Sequence, residues 1–449
     1  MKKKSLSYSF LVLIHVVIAI VIFSVPFLSK IYALIIPVFG LLITVRNKNR
    51  NNEVILVSAY LVGVEVFLRM TGGNFNNEYI KFLVIFFMLI GMVYSNFSKR
   101  ALIFGFFLLL LIPGILVTSA VENFNLDIKK AIIFNLSGPI CLAVASMYML
   151  KKRLTFLNLQ NVLITMGLPI VTTVTYLFLF NPSVKDVVRG TTSNFATSGG
   201  FGPNQVSTIL GLGMFIFFTQ LILFSKSKKE IVLNGVLLIF ISYRAVVTFS
   251  RGGVITGVAM ILLLLFLLYC FSNSKGKSKI SFVAVLSGLI AIGVWGYSSL
   301  QTRGLIEKRY ANQDAKGRVK KDRLGGREAI IGSDLDAFLS NPVLGIGPGL
   351  GKEMRKETLG SATAAHSEIS RMLSEHGLFG IFGLLILLIT PFTLYINNPQ
   401  HLYFLSFYFF WLLTINHAAM RIAAPAFVYA LALLSVQVKI PEKAENSLE

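Results

Sequence analysis

Apolar residues run through this chain in long stretches from Ser7 to Val438, separated by short polar or basic connections. A helix of about 20 mostly apolar residues crosses the hydrocarbon core of a bilayer, where it satisfies its own backbone polar groups. Hydropathy predicts spans at 8–25, 31–45, 54–71, 80–97, 101–120, 131–150, 155–180, 204–224, 231–249, 254–271, 281–298, 377–394, 402–418 and 421–438. The expected fold class is an all-α polytopic integral membrane protein of about 12–14 transmembrane helices. In this reading residues 1–298 form a bundle of about 11 spans with an outer loop at 181–203. Residues 299–376 form a long helical extracytoplasmic loop, 377–438 the C-terminal transmembrane helices, and 439–449 a cytoplasmic tail.

Composition agrees with that pattern. Of 449 residues 55% are hydrophobic and 14% charged, whereas a soluble domain carries roughly 25% charged residues. With a mean hydropathy of +0.73, a soluble globular enzyme is excluded. The 42 Lys and Arg against 20 Asp and Glu leave a net charge of +22, a balance that would ordinarily raise nucleic acid as a partner. Here the excess sits in short connections: Lys2-Lys3-Lys4, Arg46/Lys48/Arg50, Lys99/Arg100, Lys151/Lys152/Arg153, Lys226/Lys228/Lys229 and Lys275/Lys277/Lys279, with Lys439 and Lys443 in the tail. All fall on one face if the N-terminus is cytoplasmic, as the positive-inside rule expects. The expectation is a multi-pass protein of the cytoplasmic (inner) membrane, both termini inside, with no nucleic-acid partner. The basic start reads as the flank of an uncleaved first span. Cys141 and Cys270 lie within apolar runs and suggest neither a disulfide framework nor a metal site.

Two outer connections are long, and long loops translocate regardless of their charge. Asn181–Asn204 is polar and Gly-rich. Ser299–His376 divides into a charged piece, Leu305–Arg323, with Lys316, Arg318, Lys320, Lys321 and Arg323; an amphipathic helix, Gly326–Ser340; and a turn-rich stretch from Leu344 to Gly351. Ile330, Ile331, Leu335, Phe338 and Leu339 set the helical spacing, and Asn341-Pro342 stops it. A further helix is expected near Ala365-His366. Such a loop reads as a small helical cap on the outer membrane surface.

Several chemistries have no motif. Gly351-Lys352 is followed by Glu353 and has Ile346 where a P-loop needs its first glycine. The five histidines, His15, His366, His376, His401 and His417, are not at metal-ligand spacing. Asp334-Leu335-Asp336 lies inside the helix expected at Gly326–Ser340 of the outer loop, and no Asp-x-Asp occurs in a cytoplasmic connection, so a cytoplasmic nucleotide-sugar transferase is disfavoured. The expectation is a site with no metal and no cofactor.

Four outer features carry chemistry. In Ser250-Arg251-Gly252-Gly253, Ser250 can cap the next helix, the glycines expose backbone N–H groups, and Arg251 adds a cation where a phosphate would sit; the plain alternative is a tight turn with a snorkelling arginine. Arg327, in Gly325-Gly326-Arg327-Glu328, can offer a bidentate fork to a diphosphate, or be an exposed helix arginine. His366, in Ala364-Ala365-His366-Ser367-Glu368, suits a general base, although a lone loop histidine is more often inert. On a helix starting there, Ser370 and Leu373 would share its face, while His376 would mark the return to the membrane. In Gly199-Gly200-Phe201-Gly202-Pro203-Asn204-Gln205, the amides of Asn204 and Gln205 suit a hydroxyl-rich ligand, or the segment is a re-entry turn. Intramembrane charges add a weaker signal: Glu65 and Arg69, which can simply pair, Arg244, and Arg421 four residues after His417.

In this order the motifs resemble those of the O-antigen ligase and O-antigen polymerase family, including exopolysaccharide and capsule polymerases. The carrying residues are Gly202-Pro203-Asn204-Gln205, Ser250-Arg251-Gly252-Gly253, Gly326-Arg327-Glu328, Asn341-Pro342-Val343-Leu344-Gly345-Ile346-Gly347-Pro348-Gly349, Ala365-His366-Ser367-Glu368 and Glu375-His376-Gly377-Leu378-Phe379-Gly380. The likeness covers about 199–380; the first half resembles the family only in being a run of helices. It implies a GT-C-like membrane glycosyltransferase, independent of metal, that moves a glycan from a polyprenyl-diphosphate-linked donor to an acceptor sugar hydroxyl on the outer face. His366 would then be the base, and Arg251 and Arg327 would hold the diphosphate. Asn204, Gln205, Arg244, Ser250 and Gly252 would bind substrate. Implied partners are the donor, a glycan acceptor, membrane lipids, and a flippase and chain-length regulator of the same pathway.

Polymerisation of repeat units is favoured over ligation of the finished glycan to lipid A core or protein, on the Gly-Pro-Asn-Gln and His-Ser-Glu variants. A flippase or exporter of lipid-linked oligosaccharide is the rival of another class, but its polar residues should lie near the midplane with internal repeats. The basic cluster around Lys316 reads as a solvated loop.

Overall fold

The computed structural model describes residues 7–95, 98–121, 127–320, 326–360 and 363–438. Lys2, Lys3, Lys4, Lys321, Arg323, Gly325 and the 439–449 tail lie outside the described residues. The described residues are mainly helical: α1 (Tyr8–Ser24), α2 (Leu28–Asn47), α3 (Glu53–Met70), α4 (Tyr79–Tyr94), α5 (Leu102–Ser119), α6 (Ile128–Met149), α7 (Phe156–Phe180), α8 (Val184–Val187) and α9 (Pro203–Thr219) come first. There follow α10 (Lys228–Val246), α11 (Arg251–Cys270), α12 (Ser274–Gln301), α13 (Leu305–Tyr310), α14 (Arg327–Ser340), α15 (Gly351–Leu359), α16 (Glu368–Tyr395), α17 (Phe404–His417) and α18 (Ala424–Ala432). Among the described residues eight helices are long and apolar enough to cross a membrane, and α1 and α4 are shorter apolar helices. This is an all-α polytopic membrane protein.

The last apolar run is built differently from a continuous span. α18 has nine residues, about 14 Å at 1.5 Å per residue, and is buried all round. Strand β2 (Ser435–Gln437) follows and pairs in parallel with β1 (Arg153–Thr155), Leu154 opposite Val436. Hydropathy cannot see this, because the residues before α18 are themselves mostly apolar and read as part of a span.

Helices α3, α7, α9, α11, α17 and α18 pack into the core, whereas α12 is peripheral and exposes Phe282, Val285, Leu289 and Ile292. The α9–α11 crossing is set by small residues, which let helix backbones approach closely in apolar surroundings. A Cβ on Gly253 would stand 2.1 Å from the Ser207 carbonyl, and one on Gly211 would stand 2.1 Å from the Gly253 oxygen. Gly253→Ala is therefore expected to cost about 1–3 kcal/mol, read as a lowered melting temperature of the purified protein. Gly235→Ala, whose Cβ would meet open space, should leave it unchanged.

α16 is two helices joined at Gly377, whose φ of 57° and ψ of −137° interrupt it. The turn-rich segment after α14 wraps this break. Pro342 accepts from the Leu378 N–H at 2.8 Å, and the Ile346 and Gly347 N–H groups donate to the Ser374 and Glu375 carbonyls at 2.8 and 3.1 Å. Gly345, Gly347 and Gly349 all take positive φ there. A Cβ on Gly377 would lie 2.5 Å from the Pro342 oxygen, so the Asn341–Gly349 and His376–Gly377 motifs are complementary halves of one structural joint.

Candidate active site

The site grows from the α9–α11 contact. Pro203 opens α9, so Asn204, Ser207 and Thr208 occupy its first turns. The Ser250 hydroxyl donates to Asn204 Oδ1 at 2.8 Å and accepts from Ser207 at 2.9 Å, while Thr208 meets His417 Nε2 at 3.1 Å. Gly252 gives room for the same imidazole: a Cβ there would lie 2.4 Å from the His417 ring. Two motifs 46 residues apart thus form one polar floor. Ser250 sits at the N-cap of α11 without a side-chain capping bond, which corrects the capping expected of it. Its hydroxyl is spent on Asn204.

Above this floor cations gather. Arg251 opens α11 and Arg327 opens α14 behind Gly326, whose φ is 82°. Arg309, at the end of α13, donates from Nε to the Phe249 carbonyl at 3.0 Å, which places it beside Ser250. Burial and then the charge of Arg251 push the Arg327 guanidinium down from its ordinary pKa; burial, Arg251 and Arg327 do the same to Arg309. Such mutual depression means guanidinium groups close enough to repel, an arrangement that a polyanion relieves.

Arg421 completes the group from the α17–α18 connection. Its guanidinium donates to the Ala365 carbonyl at 2.8 Å. Three ion pairs fix the backbone around it. Glu65, paired with Arg69 at 2.6 Å, accepts from the Ala423 N–H at 2.7 Å, and Arg69 donates to the Arg421 carbonyl at 3.0 Å. Lys81, paired with Glu78, reaches the Met420 carbonyl at 3.4 Å, and Glu368, paired with Arg371, accepts from the Met420 N–H at 3.4 Å. These buried charges satisfy an irregular backbone that has no ladder of its own. Glu65 and Arg69 thus pair and also hold the loop that carries Arg421.

His366 lies just before α16, not on it. Ser367 is the N-cap, its hydroxyl accepting from the Ser370 N–H at 3.4 Å, so the shared helical face expected with Ser370 and Leu373 does not exist. Ser370 instead donates to Asp334 of α14 at 2.7 Å. The His366 carbonyl accepts from the Ala419 N–H at 3.0 Å, and its Nδ1 is buried without a hydrogen-bond partner among the described residues. Burial first, then the charges of Arg421, Arg327, His417 and Arg355, push its imidazole from 6.5 down to about 4. At neutral pH it is an uncharged proton acceptor. Between those values the unfolded chain binds a proton that the folded chain refuses, so this residue makes folding less favourable as pH drops through that window.

The structure brings Asn204, Ser250, Arg251, Gly252, Arg327 and His366 to one end of the bundle, with Gln205 packed on the Gly202 turn. Arg244 is used elsewhere. It is buried, donates to the Asn181 carbonyl at 2.9 Å and lies over the Phe178 ring at 4.5 Å, so it ties α10 to the end of α7. Between it and Arg251 the helix ends at Val246 and the chain turns through Phe249, at φ 60°. In α14, Ile330, Asp334 and Ala337 are buried, while Ile331, Leu335 and Leu339 are exposed. The Asp334–Arg355 pair turns the polar face inward. His376 ends the first half of α16, packed against Gly114. Arg309 and His417 were not selected from sequence. Arg309 lay among many loop cations, and His417 gains meaning only from Thr208 and Gly252.

Chemically, the arrangement can hold a polyanion between guanidinium groups and accept a proton at one imidazole. Residues 236–385 match the O-antigen ligase family. The matched segment contains Arg251, Arg309, Arg327 and His366, and stops short of His417 and Arg421. A comparison with curated proteins gives no match.

Proposed function

We propose that this chain, carrying an O-antigen ligase segment at 236–385, transfers a glycan from a polyprenyl-diphosphate carrier to an acceptor sugar hydroxyl, most simply polymerising repeat units. The reaction takes place on the extracytoplasmic face of the inner membrane, with residues 299–376 as the catalytic loop. The observation that carries the reading is the run of guanidinium groups centred on Arg327, which neighbours Arg251 and Arg309 on one side and Arg421 and a neutral His366 on the other.

In the proposed step His366 takes the proton of the acceptor hydroxyl, and that oxygen attacks the anomeric carbon. The bond from that carbon to the diphosphate oxygen breaks, and the leaving diphosphate keeps the electron pair. Charge grows on that oxygen, where the arginines and the α11 N-terminus stabilise it. Attack opposite the leaving group inverts the anomeric centre. The diphosphate ester already carries the activation, so the reading assigns no role to a metal or cofactor.

The test compares glycans and lipid-linked intermediates in cells lacking the protein, cells with wild type and cells with His366→Ala. Polymerase function predicts single repeat units on the carrier and loss of long polymer in both deficient strains. The O-antigen ligase match favours one second reading, transfer of finished glycan to a lipid or protein acceptor; full-length polymer accumulating on the carrier would establish it. Intermediates retained on the cytoplasmic face would refute both and indicate a transporter.

The clamp around Arg421 makes its own prediction. Glu65→Gln removes the charge that holds the Ala423 N–H and Arg69, and small misplacements of a catalytic group cost up to about 100-fold. A drop in kcat is expected, with no further drop when Glu65→Gln is added to Arg421→Ala, because neighbouring groups acting through one another are not additive. Fully additive losses would separate the clamp from Arg421.

A further inference from the structure

A cavity of about 540 Å³ opens beside the same backbone strand that carries His366, between the first turns of α6, the start of α15 and residues 364–365. Its size falls within the roughly 300–1,000 Å³ of small-ligand sites. Ala365 lines it, so an occupant lies one residue from His366.

Its chemistry differs from that of the arginine group. The lining cations are matched by acids: Arg355 pairs with Asp334 and Arg371 with Glu368, and Lys130 and Lys352 share the mouth with Asp127 and Glu353. No excess charge selects an anion. Asn135, Arg371 and Glu375 line the cavity as well, and the Arg371 Nε is a buried donor without a hydrogen-bond partner among the described residues. Asn135 accepts from Arg371 and donates to the Ala131 carbonyl, and Glu375 accepts from the Gly349 N–H, so the Arg371 Nε is the donor left for a sugar hydroxyl, which both gives and accepts. Phe134 supplies an apolar face, 39% exposed, with the Arg421 guanidinium 6.0 Å from its ring centre.

We infer that this cavity is the acceptor subsite and binds a neutral, hydroxyl-rich sugar ring, stacked on Phe134, whose nucleophilic hydroxyl points toward His366. The inference rests on the transfer reading above. It separates the two substrates: the diphosphate lies among Arg251, Arg309 and Arg327, and the acceptor between α6 and α15.

The test uses the full-length protein in lipid nanodiscs. The probe is the repeat-unit oligosaccharide released from the host cell's own polysaccharide, with no donor present. Saturation-transfer NMR should show binding to wild type, weakened about 3- to 10-fold by Phe134→Ala and restored by Phe134→Tyr. Lys352→Ala, at an exposed position of the mouth, should also weaken it, and Arg327→Ala should not. With a lipid-linked donor added, Phe134→Ala should raise KM for the acceptor and leave that for the donor unchanged. Binding lost in Arg327→Ala but kept in Phe134→Ala and Lys352→Ala would overturn the assignment, as would failure of the oligosaccharide to bind wild type. Binding with the expected mutational pattern but no transfer by wild type would sink the catalytic reading instead, which distinguishes the two failures.

Discussion

His366→Ala is expected to lower glycan transfer by about 100- to 10,000-fold, the usual worth of a positioned general base, with donor affinity nearly unchanged. The imidazole is the uncharged acceptor at the junction of the Arg421-bearing loop and α16, and an alanine leaves the backbone bond from Ala419 to residue 366 intact. The pH dependence gives a second reading of the same residue. With His366 pushed down to about 4 by burial and by the charges of Arg421 and Arg327, kcat/KM should hold its value well below pH 6.5. Its acid limb should centre near pH 4. A bound diphosphate offsets part of the cationic field, so the limb in kcat should lie at higher pH than the limb in kcat/KM. Single-turnover and steady-state assays with lipid-linked donor from about pH 3 to pH 8 check both points. Transfer that survives in His366→Ala removes this residue from the chemistry, and coincident limbs remove the arginine field as the cause of its depressed pKa.

Removing guanidinium groups should be comparably damaging, in a distinguishable way. Arg327 adjoins two groups, Arg251 and Arg309 on one side and His366 and Arg421 on the other. Arg327→Ala is expected to cost about 100- to 1,000-fold in kcat, the range for one preorganised donor to a developing anion, and Arg327→Lys should recover only part of it, because an ammonium lacks the bidentate fork. The same change should raise the pKa of His366 by removing a neighbouring positive charge. Hence the acid limb of the Arg327→Ala profile should move to higher pH while the rate falls. NMR titration of the His366 ring in wild type and Arg327→Ala measures that shift without any turnover. No movement of the ring pKa would place Arg327 outside the site, whatever its effect on rate.

Much of the architecture was readable because a bilayer allows few solutions: an apolar run of sufficient length must be a helix. The exception, the connection through Met420 and Arg421, escaped because its residues are mostly apolar while its conformation depends on Glu65, Glu78 and Glu368, carboxylates supplied by distant helices. At the site, motif chemistry pointed to Arg251, Arg327 and His366. It could not find Arg309 or His417, whose roles come from the Phe249 carbonyl, Thr208 and Gly252. For Arg244 the sequence showed an intramembrane charge but not its partners, the Asn181 carbonyl and the Phe178 ring, which only the packing of α10 on α7 supplies. The amphipathic pattern of α14 located the helix, and the pull of Arg355 and Ser370 on Asp334, which decides that its apolar stripe faces away from the bundle, depends on partners distant in sequence.

That outward stripe has a bearing on depth. Ile331, Leu335 and Leu339 give α14 a greasy keel, and amphipathic helices of this kind settle about 5–10 Å into the boundary between headgroups and acyl chains. Arg327 stands at the head of the same helix. A bilayer would then act as a gauge, seating that guanidinium at the level where a lipid-borne diphosphate already floats, so that the carrier meets its binding group by sideways diffusion alone. If the proposed transfer holds, the lipid leaflet, as much as the polypeptide, sets the height of the reaction.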